Sequence, residues 1–263
     1  MINSVKKALE LDNVCVDIPL YKALNLKLSL LNPKGFRANY HRALSNINLS
    51  LTEGSRTALI GHNGAGKSTL LRLASGIISH TSGILKKNTK FEPLIDRSFL
   101  VDDELDARAA SEAYFVLKTG SLRGFENYLK DILKFANLEK FEDYPIKTYS
   151  EGMRTRLQFA LLTSFPAEAL ALDETLGAGD AAFIEKAQIR FRNFLESSAT
   201  LLFASHSEDL LKEFCDDGIV LNSGRIVFKG PIKESLEYYQ ASRGGNWNNE
   251  KGFKTINLSI SIK

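Results

Sequence analysis

Apolar and polar residues alternate over several short segments near the N-terminus. Residues 9–18 and 43–51 alternate over much of their length, which predicts half-buried strands, the first of them ending at Pro19. Residues 24–30 alternate strictly and predict another strand, although their leucines are also compatible with a helix. We therefore expect an antiparallel β region at this end of the chain.

The rest of the chain alternates between strand and helix patterns. Short apolar runs predict strands at residues 57–60, 169–172, 200–204, 218–221 and 226–228. Residues 104–142 are rich in alanine, leucine, lysine and glutamate and contain no proline, which predicts two or three helices, one of them over 125–136. Strands that alternate with helices are typical of a largely parallel sheet covered on both faces.

These patterns predict an α/β fold with a mixed, largely parallel sheet, an inserted helical subdomain and an N-terminal antiparallel β region. We expect one domain over residues 1–243, with its core in 1–95 and 155–243 and the helical subdomain at about 96–154. Residues 244–263 would form a tail, in which the alternation over 256–262 favours a late strand.

Composition excludes several classes of protein. Apolar residues make up 44% and charged residues 25%, the net charge is +3, and this mild basicity does not by itself indicate a nucleic-acid partner. No window approaches the roughly 18 apolar residues needed to span a bilayer, so we expect any membrane role to come through a partner. Cys15 and Cys215 are too far apart to form a disulfide framework or a metal motif, which suits a reducing cytoplasm.

A glycine-rich loop lies between the strand predicted at 57–60 and an apolar helical segment. Its sequence, Gly-His-Asn-Gly-Ala-Gly-Lys-Ser-Thr, is the phosphate-binding pattern, in which successive backbone N–H groups face one concavity. Lys67 would reach the β- and γ-phosphates, and the Ser68 hydroxyl would ligate Mg²⁺. We predict that a nucleoside triphosphate contacts Gly61, His62, Asn63, Gly64, Ala65, Gly66, Lys67, Ser68 and Thr69.

Two further features have the chemistry of a phosphate site. Asp173 and Glu174 follow the strand predicted at 169–172, where Asp173 would ligate Mg²⁺ and Glu174 would orient or deprotonate an attacking water. Acidic pairs at strand ends are common, but the phosphate loop upstream favours the functional interpretation. Ser150 is a natural N-cap, and the free N–H groups behind it form a second anion site.

The order of these motifs resembles that of the ATP-binding cassette (ABC) ATPases. Residues 150–153, Ser-Glu-Gly-Met, occupy the place of the family signature Ser-Gly-Gly-Gln, with departures at Glu151 and Met153. Asp180 lies in a segment similar to the D-loop, and His206 lies in one similar to the switch histidine, which contacts the γ-phosphate. Residues 145–154 and 205–208 are most similar to ATPase subunits of polysaccharide exporters for capsule, O-antigen or teichoic acid.

The resemblance implies an ABC ATPase fold, with ATP and Mg²⁺ as ligands and Glu174 and His206 as catalytic residues. It implies a homodimer, in which Ser150, Gly152 and Asp180 complete the ATP site. The dimer would lie on the cytoplasmic face of the inner membrane, where it would press on integral-membrane permease subunits through the helical insert. The transported substrate would be a lipid-linked glycan, and no nucleic acid would be bound.

Two expected family features are not obvious in this chain. The family carries a glutamine between the phosphate loop and the helical insert, but no glutamine precedes Gln158, so Asp96 is the metal candidate, with Glu92 behind it. An aromatic residue should stack on adenine, and Tyr40 is favoured over Tyr21.

Three alternatives stay open at this point. One is an ABC ATPase for another cargo, either an importer or a drug exporter. Another is a soluble ABC-type ATPase acting on ribosomes or nucleic acid, against which a single cassette and a short insert count. The third is a regulatory cassette without catalysis.

Overall fold

The computed structural model describes residues 6–20, 39–94, 103–173, 181–196 and 200–243. Its strands are β1 (Lys7–Leu20), β2 (Asn39–Thr52), β3 (Arg56–Ile60), β4 (Ser82–Lys87), β5 (Phe91–Leu94), β6 (Ala169–Asp173), β7 (Thr200–Ala204), β8 (Asp217–Asn222) and β9 (Arg225–Pro231). Its α-helices are α1 (Lys67–Ser75), α2 (Ala107–Thr119), α3 (Phe125–Ala136), α4 (Glu151–Leu162), α5 (Ala181–Glu196), α6 (Glu208–Phe214) and α7 (Ile232–Arg243), with a 3₁₀ turn at Ile146–Thr148.

The larger sheet has the strand order β5-β6-β7-β3-β8-β9, with β9 antiparallel and the other strands parallel. Both of its faces are buried, because neighbouring residues of each strand enter different cores. Along β7, Leu201 and Phe203 join the core that contains the helical insert, while Leu202 and Ala204 join the core beneath α1 and the smaller sheet. This double burial explains why the parallel strands contain runs of consecutive apolar residues rather than an apolar residue at every second position.

The smaller sheet is antiparallel, with the order β2-β1-β4. β1 does not end at Pro19 as its sequence suggested, since Pro19 pairs with Tyr40 and the strand continues to Leu20. Among the described residues, β4 pairs with β1 only as far as Cys15, so this edge of β1 pairs with no described strand at Pro19. A proline that faces such an edge removes no hydrogen bond from the sheet.

The helical insert is built on amphipathic faces. α3 has the predicted bounds and buries Phe125, Leu129, Ile132 and Leu133, which recur at helical spacing on one face. It ends at Asn137, whose φ of 56° is the left-handed conformation that terminates helices. Its last carbonyl groups accept hydrogen bonds from the cationic side chains of other helices.

The predicted fold class is confirmed, since a largely parallel mixed sheet, a helical insert and an N-terminal antiparallel sheet are all present. Strands β4 and β5 were not predicted. The strands predicted at 24–30 and 256–262 lie outside the described residues, and the domain boundaries stay a prediction. Within the described segments, no helix combines the length and the apolarity that crossing a membrane requires.

Candidate nucleotide-binding site

The phosphate loop joins the end of β3 to the start of α1, as its sequence predicted. Gly66, just before α1, has a φ of 108°, which side chains rarely adopt. A Cβ there would lie 3.0 Å from Leu44 Cδ2 and 3.2 Å from the carbonyl oxygen of Ala43. Glycine is therefore required at this position both by backbone conformation and by the close approach of β2.

Lys67 is held beneath this loop. Its side chain is only 8% exposed, and Nζ donates to the carbonyl oxygens of Gly61 at 2.7 Å and His62 at 3.2 Å. Burial lowers the pKa of the Lys67 ammonium, and the charge of Asp173 partly opposes that shift. The loop thus keeps a partly desolvated cation where an anionic ligand would meet it.

Ser68 and Asp173 meet across the site. Ser68 Oγ, in the first turn of α1, donates to Asp173 Oδ2 at the end of β6, at 2.6 Å. A hydroxyl and a carboxylate are hard oxygen donors, which is the chemistry that Mg²⁺ prefers. The two residues predicted to hold the metal therefore lie together, 105 positions apart in sequence.

His206 follows β7, the strand next to β6, and Ala204 at the end of β7 pairs with Asp173. Because both strands are parallel, their carboxyl ends meet at one edge of the sheet, where ligands of open α/β folds bind. His206 lines the same pocket as Lys67, Ser68 and Asp173. The predicted catalytic histidine is thus brought to the phosphate loop.

The pocket at this edge has a volume of about 400 Å³, within the ordinary range for small-ligand sites. Its described lining residues are Ile18, His41, Ala43, Asn63, Gly64, Gly66, Lys67, Ser68, Thr69, Asp173 and His206.

Residues of β1 and β2 form another part of the pocket wall. Tyr40 is 64% exposed and is not one of the described residues that line the pocket, whereas its neighbour His41 is. Successive residues of a strand point to opposite faces, so β2 can present only one of the two to the ligand. His41, which pairs with Ile18 of β1, is therefore a second candidate for contact with a base, and the role of Tyr40 stays a prediction.

Ser150 and Gly152 lie at the start of α4, where the Ser150 hydroxyl accepts a hydrogen bond from the Met153 N–H at 3.2 Å. This N-cap was predicted. Neither residue is among the described lining residues of the phosphate-loop pocket. They form a separate helix N-terminus, and their role in nucleotide binding stays a prediction.

The remaining predicted site residues either lie outside the described residues or are not among the described residues that line the pocket. Asp96, Glu174, Asp180 and Tyr21 lie outside the described residues, so their roles also stay predictions. Glu92, the alternative to Asp96, forms an ion pair with Lys118 near the end of α2 and is not among the described lining residues of the pocket.

The family of the chain follows from comparison with known proteins. The model of the ABC transporter family matches residues 44–177, just over half of the chain. The chain belongs to the ABC transporter family. Within this family it is an ATP-binding subunit with ATPase activity, as the order of motifs implied.

The relatives of this ABC subunit confirm the polysaccharide-exporter group. It is 39% identical to the O-antigen export system ATP-binding protein RfbE of Yersinia enterocolitica over 184 residues, covering 70% of this chain and 77% of that protein. It is 36% identical to the polysialic acid transport ATP-binding protein KpsT of Escherichia coli over 223 residues, 84% of this chain and 99% of that protein.

A solved structure supports the fold. The dimeric ATP-binding cassette MJ0796 bound to ADP and Pi superposes with a TM-score of 0.69 at 20% identity, covering 85% of this chain and 98% of that one. At this identity the likeness shows the fold alone, and the fold is that of an ABC ATPase cassette.

Proposed function

We propose that this ABC ATPase powers the export of a lipid-linked polysaccharide through membrane permease subunits, from the cytoplasmic face of the inner membrane. The observation that carries the ATPase part is the convergence of Lys67, His206 and the bonded pair Ser68–Asp173 on one pocket. The substrate class is supported by the relatives, whose names assign them to O-antigen export and polysialic acid transport.

The phosphate loop would bind the triphosphate through its N–H groups and Lys67. The Lys67 ammonium already donates hydrogen bonds to two loop carbonyls. It is therefore held in place before the triphosphate binds, and it would need to move little to contact the γ-phosphate. Ser68 and Asp173 would hold Mg²⁺, whose charge would neutralise the β- and γ-phosphates when bound.

Hydrolysis requires an oriented water. Glu174, directly after the strand that places Asp173, would accept the proton of that water, and His206 would contact the γ-phosphate from the end of β7. Closure of the pocket by a second copy would add Ser150 and Gly152, whose helix N-terminus suits a phosphate. Exclusion of water would strengthen each of these charge-assisted hydrogen bonds.

The shared pocket is tested by a hydrolysis-deficient variant. Glu174→Gln should lower ATP turnover about 100-fold or more, because a general base contributes that much. With saturating ATP and Mg²⁺, light scattering should show a particle of twice the monomer mass. Glu174→Gln combined with Lys67→Ala should stay monomeric, since the triphosphate is no longer held. A Glu174→Gln protein that is monomeric at saturating ATP would contradict the shared site.

The export function is tested in cells that carry the chain together with its permease. Glu174→Gln should remove the polysaccharide from the cell surface and leave lipid-linked glycan inside, measured by surface labelling and lipid extraction. Glu185→Gln, an exposed change of the same type on α5, should leave export intact. If the surface polysaccharide is unchanged in cells whose ATPase is inactive, the proposed substrate is refuted and the ATPase assignment still holds.

A further inference from the structure

The turn between β8 and β9 lies against the phosphate loop. Asn222, the last residue of β8, places its Oδ1 at 3.1 Å from Nε2 of His62, within the loop. The other ring nitrogen of His62 lies 2.7 Å from the carbonyl oxygen of Asn63. Each ring nitrogen thus faces an oxygen acceptor, one from its own loop and one from the turn; a neutral imidazole donates to one of them at a time and a protonated one donates to both.

The backbone of the same turn is bonded to two more elements of the site. The Gly224 N–H donates to the carbonyl oxygen of Ala65 in the phosphate loop at 2.9 Å. The Gly224 carbonyl accepts from the N–H of Ser45 on β2 at 2.8 Å. One residue therefore joins the loop that would bind phosphate to the strand that carries His41 and Ala43 into the pocket.

The turn has little freedom to move away. Ser223 and Gly224 have φ values of 47° and 74°, the pair of positive values found in tight hairpin turns. A Cβ at Gly224 would meet the Ala43 carbonyl oxygen at 2.5 Å. A rigid hairpin packed this closely restricts the conformations that are open to the loop that it contacts.

We infer that Asn222 is a positioning residue for nucleotide binding, which acts through the His62 ring to hold the phosphate loop in its ligand-ready shape. Asn222 is not among the described residues that line the pocket, whereas the loop residues Asn63 and Gly64 are, so its effect on binding would pass through the loop. The inference rests on the proposed binding of the triphosphate at residues 61–69. Without this contact the loop would adopt other conformations. Ordering it on binding would then reduce the affinity for the triphosphate.

The test is ATP binding by four variants, measured by displacement of a fluorescent ATP analogue together with steady-state KM and kcat. Asn222→Leu is similar in shape and loses the oxygen, so the Kd and KM for ATP should rise about 3- to 10-fold, the size of one hydrogen bond, while kcat changes little. Asn222→Gln keeps a neutral amide with its oxygen and should bind ATP more tightly than Asn222→Leu, whereas Asn222→Asp would add a negative charge beside the triphosphate. In the His62→Ala background, Asn222→Leu should have no further effect, because its partner is already gone.

Controls separate this inference from the proposed function. His80→Ala, an exposed histidine in another loop, should not change ATP affinity. Lys67→Ala should abolish binding; if it does not, residues 61–69 are not the triphosphate site and the proposed function fails.

If Lys67→Ala abolishes binding and Asn222→Leu leaves Kd and KM unchanged, the inference about the turn is overturned. A melting temperature that falls in Asn222→Leu while Kd is unchanged would likewise assign Asn222 a purely structural role. Additive effects of His62→Ala and Asn222→Leu would also overturn it. Should Asn222→Leu not fold, Asn222→Ser makes the same comparison, since it also withdraws the oxygen from His62.

Discussion

At the scale of single residues, Tyr40 and His41 are two adjacent candidates for contact with a base. Both are exposed on β2, and His41 is the one of the two that lines the pocket. Asp17 and Arg42 hold this end of the sheet through a bidentate ion pair, with distances of 2.8 Å and 3.0 Å. That pair joins β1 to β2 at the position next to His41.

The prediction at this scale concerns stacking on the base. His41→Ala should weaken ATP binding about 5-fold or more, because stacking of an aromatic ring on a base contributes about 1–3 kcal/mol. Tyr40→Ala is the matched control and should change the affinity by less than about 2-fold, since an exposed side chain away from the ligand contributes little. Titration with a fluorescent ATP analogue measures both. A larger loss for Tyr40→Ala than for His41→Ala would restore the sequence prediction.

At the scale of elements, hydrogen bonds from lysine and arginine side chains connect the C-terminal end of α3 to two neighbouring helices. Lys186 on α5 donates to the carbonyl oxygens of Lys134 and Phe135 at 3.2 Å and 3.0 Å, and Arg156 on α4 donates to that of Ala136 at 2.9 Å. These carbonyls lack partners within the helix, and cations at a helix C-terminus also favour its dipole. The helical insert is therefore fastened to α5, the helix that follows Asp180.

The prediction for an element concerns the start of α2. The Asp106 carboxylate accepts from the Ala109 N–H at 2.7 Å and caps the helix. Asp106→Ala should lower the free energy of unfolding by about 1 kcal/mol, the usual cost of a lost N-cap. Asp106→Asn keeps an acceptor and should cost less. Urea denaturation measures both, and an Asp106→Ala protein as stable as the unaltered one would show that the cap contributes nothing.

At the scale of the whole molecule, burial controls the ionisation of tyrosines in the helical insert. Burial raises the pKa of Tyr128 to about 12, and Ser164 partly opposes that shift. Burial, with the charge of Asp106, likewise raises the pKa of Tyr149 to about 12. Burial also raises the pKa of Tyr114, with a smaller contribution from the charge of Glu92. The folded protein therefore favours the neutral phenols.

This gives a pH dependence with a definite sign. The three tyrosines stabilise the fold fully below about pH 10, the ordinary tyrosine pKa, and lose that contribution as the pH rises toward about 12. Absorbance at 295 nm should show a late phase of tyrosine ionisation, from these three residues, that appears only with the loss of circular dichroism. Tyr128→Phe should remove part of the late phase. A single phase near pH 10 in a folded protein would contradict the prediction.

The sequence by itself determined what depends on neighbours along the chain. The phosphate loop, the N-cap at Ser150, the bounds of α3 and the apolar strands all follow from local spacing, because local conformation and burial period are set within a few residues. The order of the motifs also sufficed for the ABC ATPase family.

Only the tertiary structure decided which distant residues meet. The direct hydrogen bond from Ser68 to Asp173 and the contact of Asn222 with His62 each join residues from different elements, and the place of His41 in the pocket lining depends on how β2 packs against the phosphate loop. β4 and β5 also went unpredicted, and β1 continues past Pro19 through its pairing with β2. Strand pairing and packing fix these outcomes, and a one-residue change of register reverses the face on which each side chain lies, a choice that local pattern cannot make.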